Sequence, residues 1–328
     1  MIITRAPFRV SFCGGGSDIP SFYEKYGGCV ISTSIRKYMY LLMHNYFYKD
    51  KIILKYSETE IVDDYSQIKH KYFKQCLSDF GIKGVAIASM ADIPAGTGLG
   101  SSSAFTVALL QLLHTYRGEY IPKYKLAKDA CEIEIKKLGE PIGKQDQFAA
   151  AFGGLNYIEF RRDGFVNVEP IIMNACSYHK LENNLLMFYL GGTHSASAIL
   201  KEQSVNVKSV DKAEAQMKMC DITRVLRDEL QNDNVDSMGK LLHENWMLKK
   251  TLASGIANPL VDDTYTRAIE AGATGGKLLG AGGAGFMIFY VPEGKHQDVR
   301  LALSNLREME FEMDNSGASI IHIDKDFG

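Results

Sequence analysis

Pro94-Ala95-Gly96-Thr97-Gly98-Leu99-Gly100-Ser101-Ser102-Ser103-Ala104 reads as a glycine loop that leaves a strand and runs directly into a helix. The strand is residues 85–90. The helix, residues 102–113, presents Phe105, Ala108, Leu109, Leu112 and Leu113 along one face. Glycines let a backbone approach an anion closely, first-turn N–H groups have no intrahelical partner, and the helix dipole places partial positive charge there. The serines add hydroxyl donors and an oxygen suited to a hard cation. A generic Gly/Ser loop is also a plain turn with a serine N-cap, but three alternating glycines before three serines favour phosphate. A Walker A loop, GxxxxGK(S/T), is excluded because its lysine is missing.

Two more glycine loops lie outward from this one. Upstream, Gly14-Gly15-Gly16-Ser17-Asp18 follows a strand containing Arg9. Its glycines keep the floor of a site low, and Ser17 and Asp18 offer the donor and acceptor groups that sugar hydroxyls need; the same residues also build an Asx-type turn. Downstream, Gly280-Ala281-Gly282-Gly283-Ala284-Gly285 spells GxGxxG. A dinucleotide fingerprint must open a helix, whereas Phe286-Met287-Ile288-Phe289-Tyr290-Val291 is strand-like. A glycine-rich hairpin facing a ligand is the better reading.

The 328 residues exceed what one core usually holds, so two lobes around a cleft are expected, dividing near residue 180. Lys+Arg (37) nearly balance Asp+Glu (39), which leaves no net field for nucleic acid or an anionic bilayer. No apolar run approaches the roughly 18 residues of a membrane span, and residues 1–7 do not resemble a leader. The six cysteines show no CxxC pair and no histidine clustering, which argues against zinc or disulfides and for a reducing, cytoplasmic location. Residues 8–13, 29–33 and 38–43 read as consecutive strands, 63–80 as a helix stopped by Gly81, and 123–137 as another helix. A hairpin is expected at 156–159 and 165–169. Residues 196–250 read as largely helical with a polar break at Asn232-Asp233-Asn234, followed by a helix at 260–271. Strands at 277–279 and 286–291, a helix at 297–306 and closing strands near Phe311 and Ile320 complete the chain.

In their order and spacing the three loops resemble those of the GHMP kinases: Ala6-Pro7-Phe8-Arg9 with Gly14 to Asp18, then Pro94 to Ala104, then Lys277 to Gly285. The resemblance implies an α/β (α+β) two-lobe fold. Residues 1–180 would form an N-terminal lobe like ribosomal protein S5 domain 2, carrying the ATP and sugar loops, and 181–328 a ferredoxin-like C-terminal lobe. It implies Mg²⁺-dependent transfer of the γ-phosphoryl of ATP to a sugar hydroxyl. Within the superfamily, the glycine triplet with Ser-Asp, Tyr26-Gly27-Gly28 and Gly143-Lys144-Gln145-Asp146-Gln147 look most like the D-glycero-D-manno-heptose 7-phosphate kinases. The implied acceptor there is the anomeric hydroxyl, on the way to a nucleotide-activated heptose. Fucokinase domains share many of these features, and galactokinases would carry Glu-His where this chain has Gly15-Gly16. A kinase of an unphosphorylated sugar and a non-catalytic sugar/ATP sensor are the competing readings.

Carried over by motif position, the resemblance implies Asp146 and Arg9 as catalytic residues and Ser102 and Glu134 as Mg²⁺ ligands. Pro94, Gly96, Thr97, Gly98, Leu99, Gly100, Ser101, Ser102 and Ser103 would bind the nucleotide. Gly14, Gly15, Gly16, Ser17, Asp18, Lys144, Thr193, Gly282 and Gly283 would bind the sugar phosphate. Arg36, Lys37, Lys69, Lys71, Lys144 and Lys201 are unranked candidates for its distal phosphate. ATP and a sugar phosphate are the expected partners, and a homodimer is compatible with the sequence.

Overall fold

The computed structural model describes residues 1–192, 196–207 and 209–324. It begins with β1 (Ile2–Cys13), α1 (Pro20–Tyr26) and β2 (Gly28–Asn45), the two strands pairing antiparallel. Then come β3 (Ile52–Lys55), β4 (Thr59–Val62), α2 (Lys71–Phe80), β5 (Val85–Ala91), α3 (Ser101–Tyr116), α4 (Lys123–Cys131), α5 (Gln145–Phe152) and the hairpin β6 (Leu155–Phe160) and β7 (Val166–Pro170). The strands expected at 29–33 and 38–43 are two halves of β2. Its first half pairs with β6 and its second with β5, so one long strand serves two neighbours. The helix expected over 63–80 is interrupted: Tyr65–Gln67 forms a separate 3₁₀ turn capped by Asp64, and α2 starts only at Lys71. The carboxylate of Glu60 accepts from the N–H groups of Lys69 (2.7 Å) and His70 (3.2 Å), which holds those residues out of a continuous helix.

The second sheet is built from β8 (Leu185–Tyr189), which follows α6 (Ala175–Asn183). After α7 (Ala196–Asn206), α8 (Val210–Gln231), α9 (Ser237–Lys249) and α10 (Pro259–Glu270) come β9 (Gly275–Leu278), β10 (Phe286–Tyr290), α11 (His296–Ala302) and β11 (Arg307–Glu308). The order is β11-β8-β10-β9. Helices between β8 and β9 and again between β10 and β11 give the β-α-β-β-α-β pattern of a ferredoxin-like lobe.

Residues 181–328 do not form one lobe, contrary to the division read from the sequence. The final strands, β12 (Met313–Asp314) and β13 (Ser319–Ile323), return to the first sheet, β12 on β2 and β13 on β1. Without β13 the start of β1 would be an open edge with unpaired backbone groups.

The loop after β5 and the loop between β9 and β10 touch backbone to backbone. Gly98 has φ +87°, and a Cβ there would lie 2.5 Å from the Leu279 carbonyl oxygen; at Gly280, φ +77°, it would lie 2.6 Å from the Gly98 Cα. Gly118 also has positive φ (+72°) but open space around it. Gly118→Ala should therefore lose only the left-handed strain, roughly 1 kcal/mol, while Gly98→Ala should lose more, roughly 1–3 kcal/mol beyond it. Thermal unfolding of the two variants measures the difference, and equal midpoints would show that the loops do not press on one another.

Candidate active site

A cleft of about 350 Å³ opens where the three glycine loops meet. Gly96, Gly98, Gly100 and the first-turn serines of α3 form one wall, Gly15, Gly16 and Asp18 another, and Gly280, Ala281 and Gly282 a third. Gly100 caps α3 in the left-handed region (φ 75°, ψ 31°), which turns the chain so that the helix N-terminus faces the cleft.

Arg9 and Asp146 form a two-pronged ion pair. Arg9 Nε donates to Asp146 Oδ1 and Nη2 to Oδ2, both at 2.8 Å, while Nη1 donates to the Gly98 carbonyl at 2.6 Å. The Arg9 side chain is almost enclosed (6% exposed) and that of Asp146 is 27% exposed, so the carboxylate keeps a face toward the cleft. A Cβ on Gly100 would sit 3.2 Å from Asp146 Oδ2, so the nucleotide loop rests on the pair. Gln145 Nε2 donates to Asp146 Oδ1 (3.0 Å) and braces the carboxylate from its own helix.

Glu134 comes from an irregular turn. The helix that begins as α4 widens over Glu132–Lys137 into a π-helical turn, a feature often found at functional sites. Glu134 is fully buried, whereas Glu132 pairs with Lys136 at the surface. Ser103 Oγ (2.7 Å), Thr106 Oγ1 (2.8 Å) and Gln147 Nε2 donate to its carboxylate. Burial, opposed by these hydrogen bonds and aided by the charge of Asp146, pushes its pKa up to about 7.

A buried carboxylate held only by neutral donors suits a hard divalent cation. No group of three or more His, Cys, Asp or Glu side chains among the described residues would hold a metal alone. An ion carried mainly by nucleotide phosphates needs only one or two protein oxygens. Ser101, Ser102 and Ser103 line the cleft; Glu134 does not, and lies behind them. It is Ser103 that bonds Glu134, while Ser102 faces the cleft beside the Tyr72 phenol.

Not every residue expected at the site faces it. Ser17 is buried with its hydroxyl spent on backbone, donating to the Cys29 carbonyl (2.9 Å) and accepting from the Cys29 N–H (3.0 Å), so it is not free for a sugar hydroxyl. Lys144 turns away: its ammonium lies 4.4 Å from the Tyr23 ring centre and donates to the Gly164 carbonyl (2.8 Å). Gly14 is tied to Asn245 Oδ1 (3.1 Å), and Gly283 to Ile256 and Asn258. Thr97 Oγ1 bonds the Pro94 carbonyl (3.0 Å) and Leu99 enters the core, so these three residues shape the 94–104 loop without lining the cleft. Thr193 lies outside the described residues. Arg36 pairs with Glu312 at the surface and Lys71 with Glu140, and none of the six candidates for a distal phosphate lines the cleft. Two lysines missed by sequence, Lys249 and Lys277, do line it. Lys277 stands at the start of the third motif, which was a usable signal. Lys249 ends an ordinary helix and gave none.

Residues 67–154 match the GHMP kinases N terminal domain and residues 226–309 the GHMP kinases C terminal domain, together just over half of the chain. The chain belongs to the GHMP kinases. It is accordingly a phosphotransferase with an alcohol acceptor, in a family that uses ATP with a divalent metal ion. The chain is 28% identical to the D-glycero-alpha-D-manno-heptose 7-phosphate kinase of Campylobacter jejuni over 92% of its own length and 93% of that protein's. It superposes on the crystal structure of a D-glycero-D-manno-heptose 1-phosphate kinase from Bacteroides thetaiotaomicron with a TM-score of 0.81, at 27% identity, covering 99% of this chain and all of that one. It is also 24% identical to the bifunctional fucokinase/GDP-fucose pyrophosphorylase of Arabidopsis thaliana over 94% of this chain and 32% of that protein.

The raised pKa of Glu134 has a stability consequence. A folded-state value near 7 against an ordinary 4.5 means that ionising this side chain costs the metal-free fold about 3 kcal/mol. Its stabilising contribution is complete below about pH 4.5 and is lost as pH rises through about 7. Glu134→Gln stays neutral throughout. In chelator its thermal midpoint should gain on wild type from about pH 5 to pH 7 and then level off, and parallel midpoint curves would refute the shift.

Proposed function

We propose that this kinase transfers the γ-phosphoryl of ATP to the anomeric hydroxyl of D-glycero-D-manno-heptose 7-phosphate, with Mg²⁺ as its metal. The observation that carries the chemistry is the Arg9–Asp146 pair lying against Gly100 at the start of α3. It sets a carboxylate, a fixed cation and a polyphosphate cradle side by side. Both relatives' names support a heptose phosphate as acceptor, and that of the Campylobacter jejuni protein supports the 7-phosphate.

Phosphoryl transfer through a loose transition state needs alignment and charge neutralisation more than covalent help. The first-turn N–H groups of α3 hold the phosphates. Ser102 and Glu134 are the proposed metal ligands, and the bound ion would neutralise phosphate charge. Asp146 accepts or orients the proton of the attacking hydroxyl. Arg9, charged at every relevant pH, fixes that carboxylate and stabilises the emerging alkoxide. Asp18, held by the N–H groups of Gly16 (3.2 Å) and Gln145 (3.0 Å), faces the sugar hydroxyls. Reliance on ATP goes with a cytoplasmic location; no helix among the described residues is long and apolar enough to cross a membrane.

Asp146→Ala should lower kcat by roughly 10²–10⁴ with ATP affinity nearly intact, and unchanged kcat would remove Asp146 from the chemistry. Ser102→Ala should shift a magnesium titration of activity to higher concentration, since one oxygen ligand is lost; superimposable titrations would reassign it. A coupled ADP-release assay over a panel of sugars and sugar phosphates tests the acceptor. Preference for an unphosphorylated sugar, or product phosphorylated at a non-anomeric position, would replace heptose 7-phosphate.

A further inference from the structure

Lys249, at the end of α9, and Lys277, in β9, are only 6% and 4% exposed. Among the described residues they are, with Arg9, the only lysines or arginines that line the cleft. Arg9 is committed to Asp146. The two lysines have no carboxylate partner among the described residues: Lys249 Nζ donates to the Gly15 carbonyl and to Gln203 Oε1, each at 3.0 Å, and Lys277 Nζ donates to the Ser11 carbonyl at 2.6 Å. An ammonium carries three donors, so both keep capacity for another acceptor.

The electrostatics agree with an anion site. Burial pulls Lys249 down to about 8, with Asp18 opposing. Burial pulls Lys277 down to about 7; Cys13 opposes, and the charges of Lys249 and Arg9 add to the shift. Buried ammonium groups with no directly bonded carboxylate are costly to a fold, and only the nearby charge of Asp18 offsets that cost at Lys249. Both heads bond the strand and loop that precede Asp18, on the sugar side of the cleft, and neither bonds residues 94–104.

Resting on the sugar-phosphate reading above, we propose that Lys249 and Lys277 bind the phosphate that the sugar acceptor already carries. The phosphate is a dianion with three oxygens, which two ammonium heads beside a glycine backbone can share. The same lysines would favour a phosphorylated acceptor over its neutral counterpart, because without the phosphate their charges stay unpaired. The competing role is a purely structural clamp of the C-terminal lobe onto the Gly14 to Gly16 loop.

The test is the ratio of kcat/KM for heptose 7-phosphate to that for the unphosphorylated heptose, in the full-length enzyme with Mg²⁺ and ATP. Lys249→Met should lower this ratio about 10- to 100-fold, the weight of one charge-assisted hydrogen bond. Lys249→Gln, which keeps a donor for the Gly15 carbonyl but no charge, should lower it similarly and covers the case in which the methionine variant does not fold. Inorganic phosphate, as a competitive inhibitor against the sugar phosphate, should bind both variants more weakly. A ratio within two-fold of wild type, or a loss that falls on the KM for ATP instead, overturns the subsite. If wild type itself shows no preference for the phosphorylated sugar, the acceptor reading fails and takes the subsite with it; if that preference is strong and survives both substitutions, the subsite alone fails.

Discussion

The guanidinium of Arg9 joins three parts of the chain that are far apart in sequence. Its backbone N–H donates to the Leu99 carbonyl, one side-chain nitrogen donates to the Gly98 carbonyl, and the remaining fork closes on Asp146 of α5. β1, the nucleotide loop and α5 are thereby fixed relative to one another by one planar, permanently charged group. A lysine would not do the same, since it lacks the rigid fork that grips a carboxylate with two parallel bonds. The glycine loops fit around this centre because they carry no side chains where Gly98 meets Leu279 and Gly100 meets the ion pair.

Charge around the cleft is distributed unevenly. Near α3 a buried carboxylate, Glu134, has no cation among its hydrogen-bond partners. Across the cleft two buried ammonium groups rest on carbonyl and amide oxygens. Such groups are costly to the fold. In the proposed roles a metal ion would offset the first and an anion the second, which would couple stability and ligand binding through the same side chains.

Much of the site was legible because glycine and proline mark backbone requirements directly. The 94–104 loop, the hairpin at 280–285 and the helix of residues 102–113 needed only local rules, and all three lie where those rules placed them. The reading failed where tertiary contacts override local pattern. One extended β2 was divided in two because its alternation breaks near Ser34 to Lys37, yet β12 pairs there and keeps the strand extended. Residues 63–80 look helical throughout, and only the reach of Glu60 from a neighbouring strand breaks them.

By itself the sequence determined where the three glycine-rich loops fall and that strands and helices alternate along the chain. Glycine conformations and helix-start chemistry are properties of short segments. Only the tertiary structure decided that β12 and β13 rejoin the first sheet, that Ser17 and Lys144 are spent on other partners, and that Lys249 reaches the cleft. The direction and burial of a side chain depend on what packs against it from distant parts of the chain, and that information is not contained in any window of sequence.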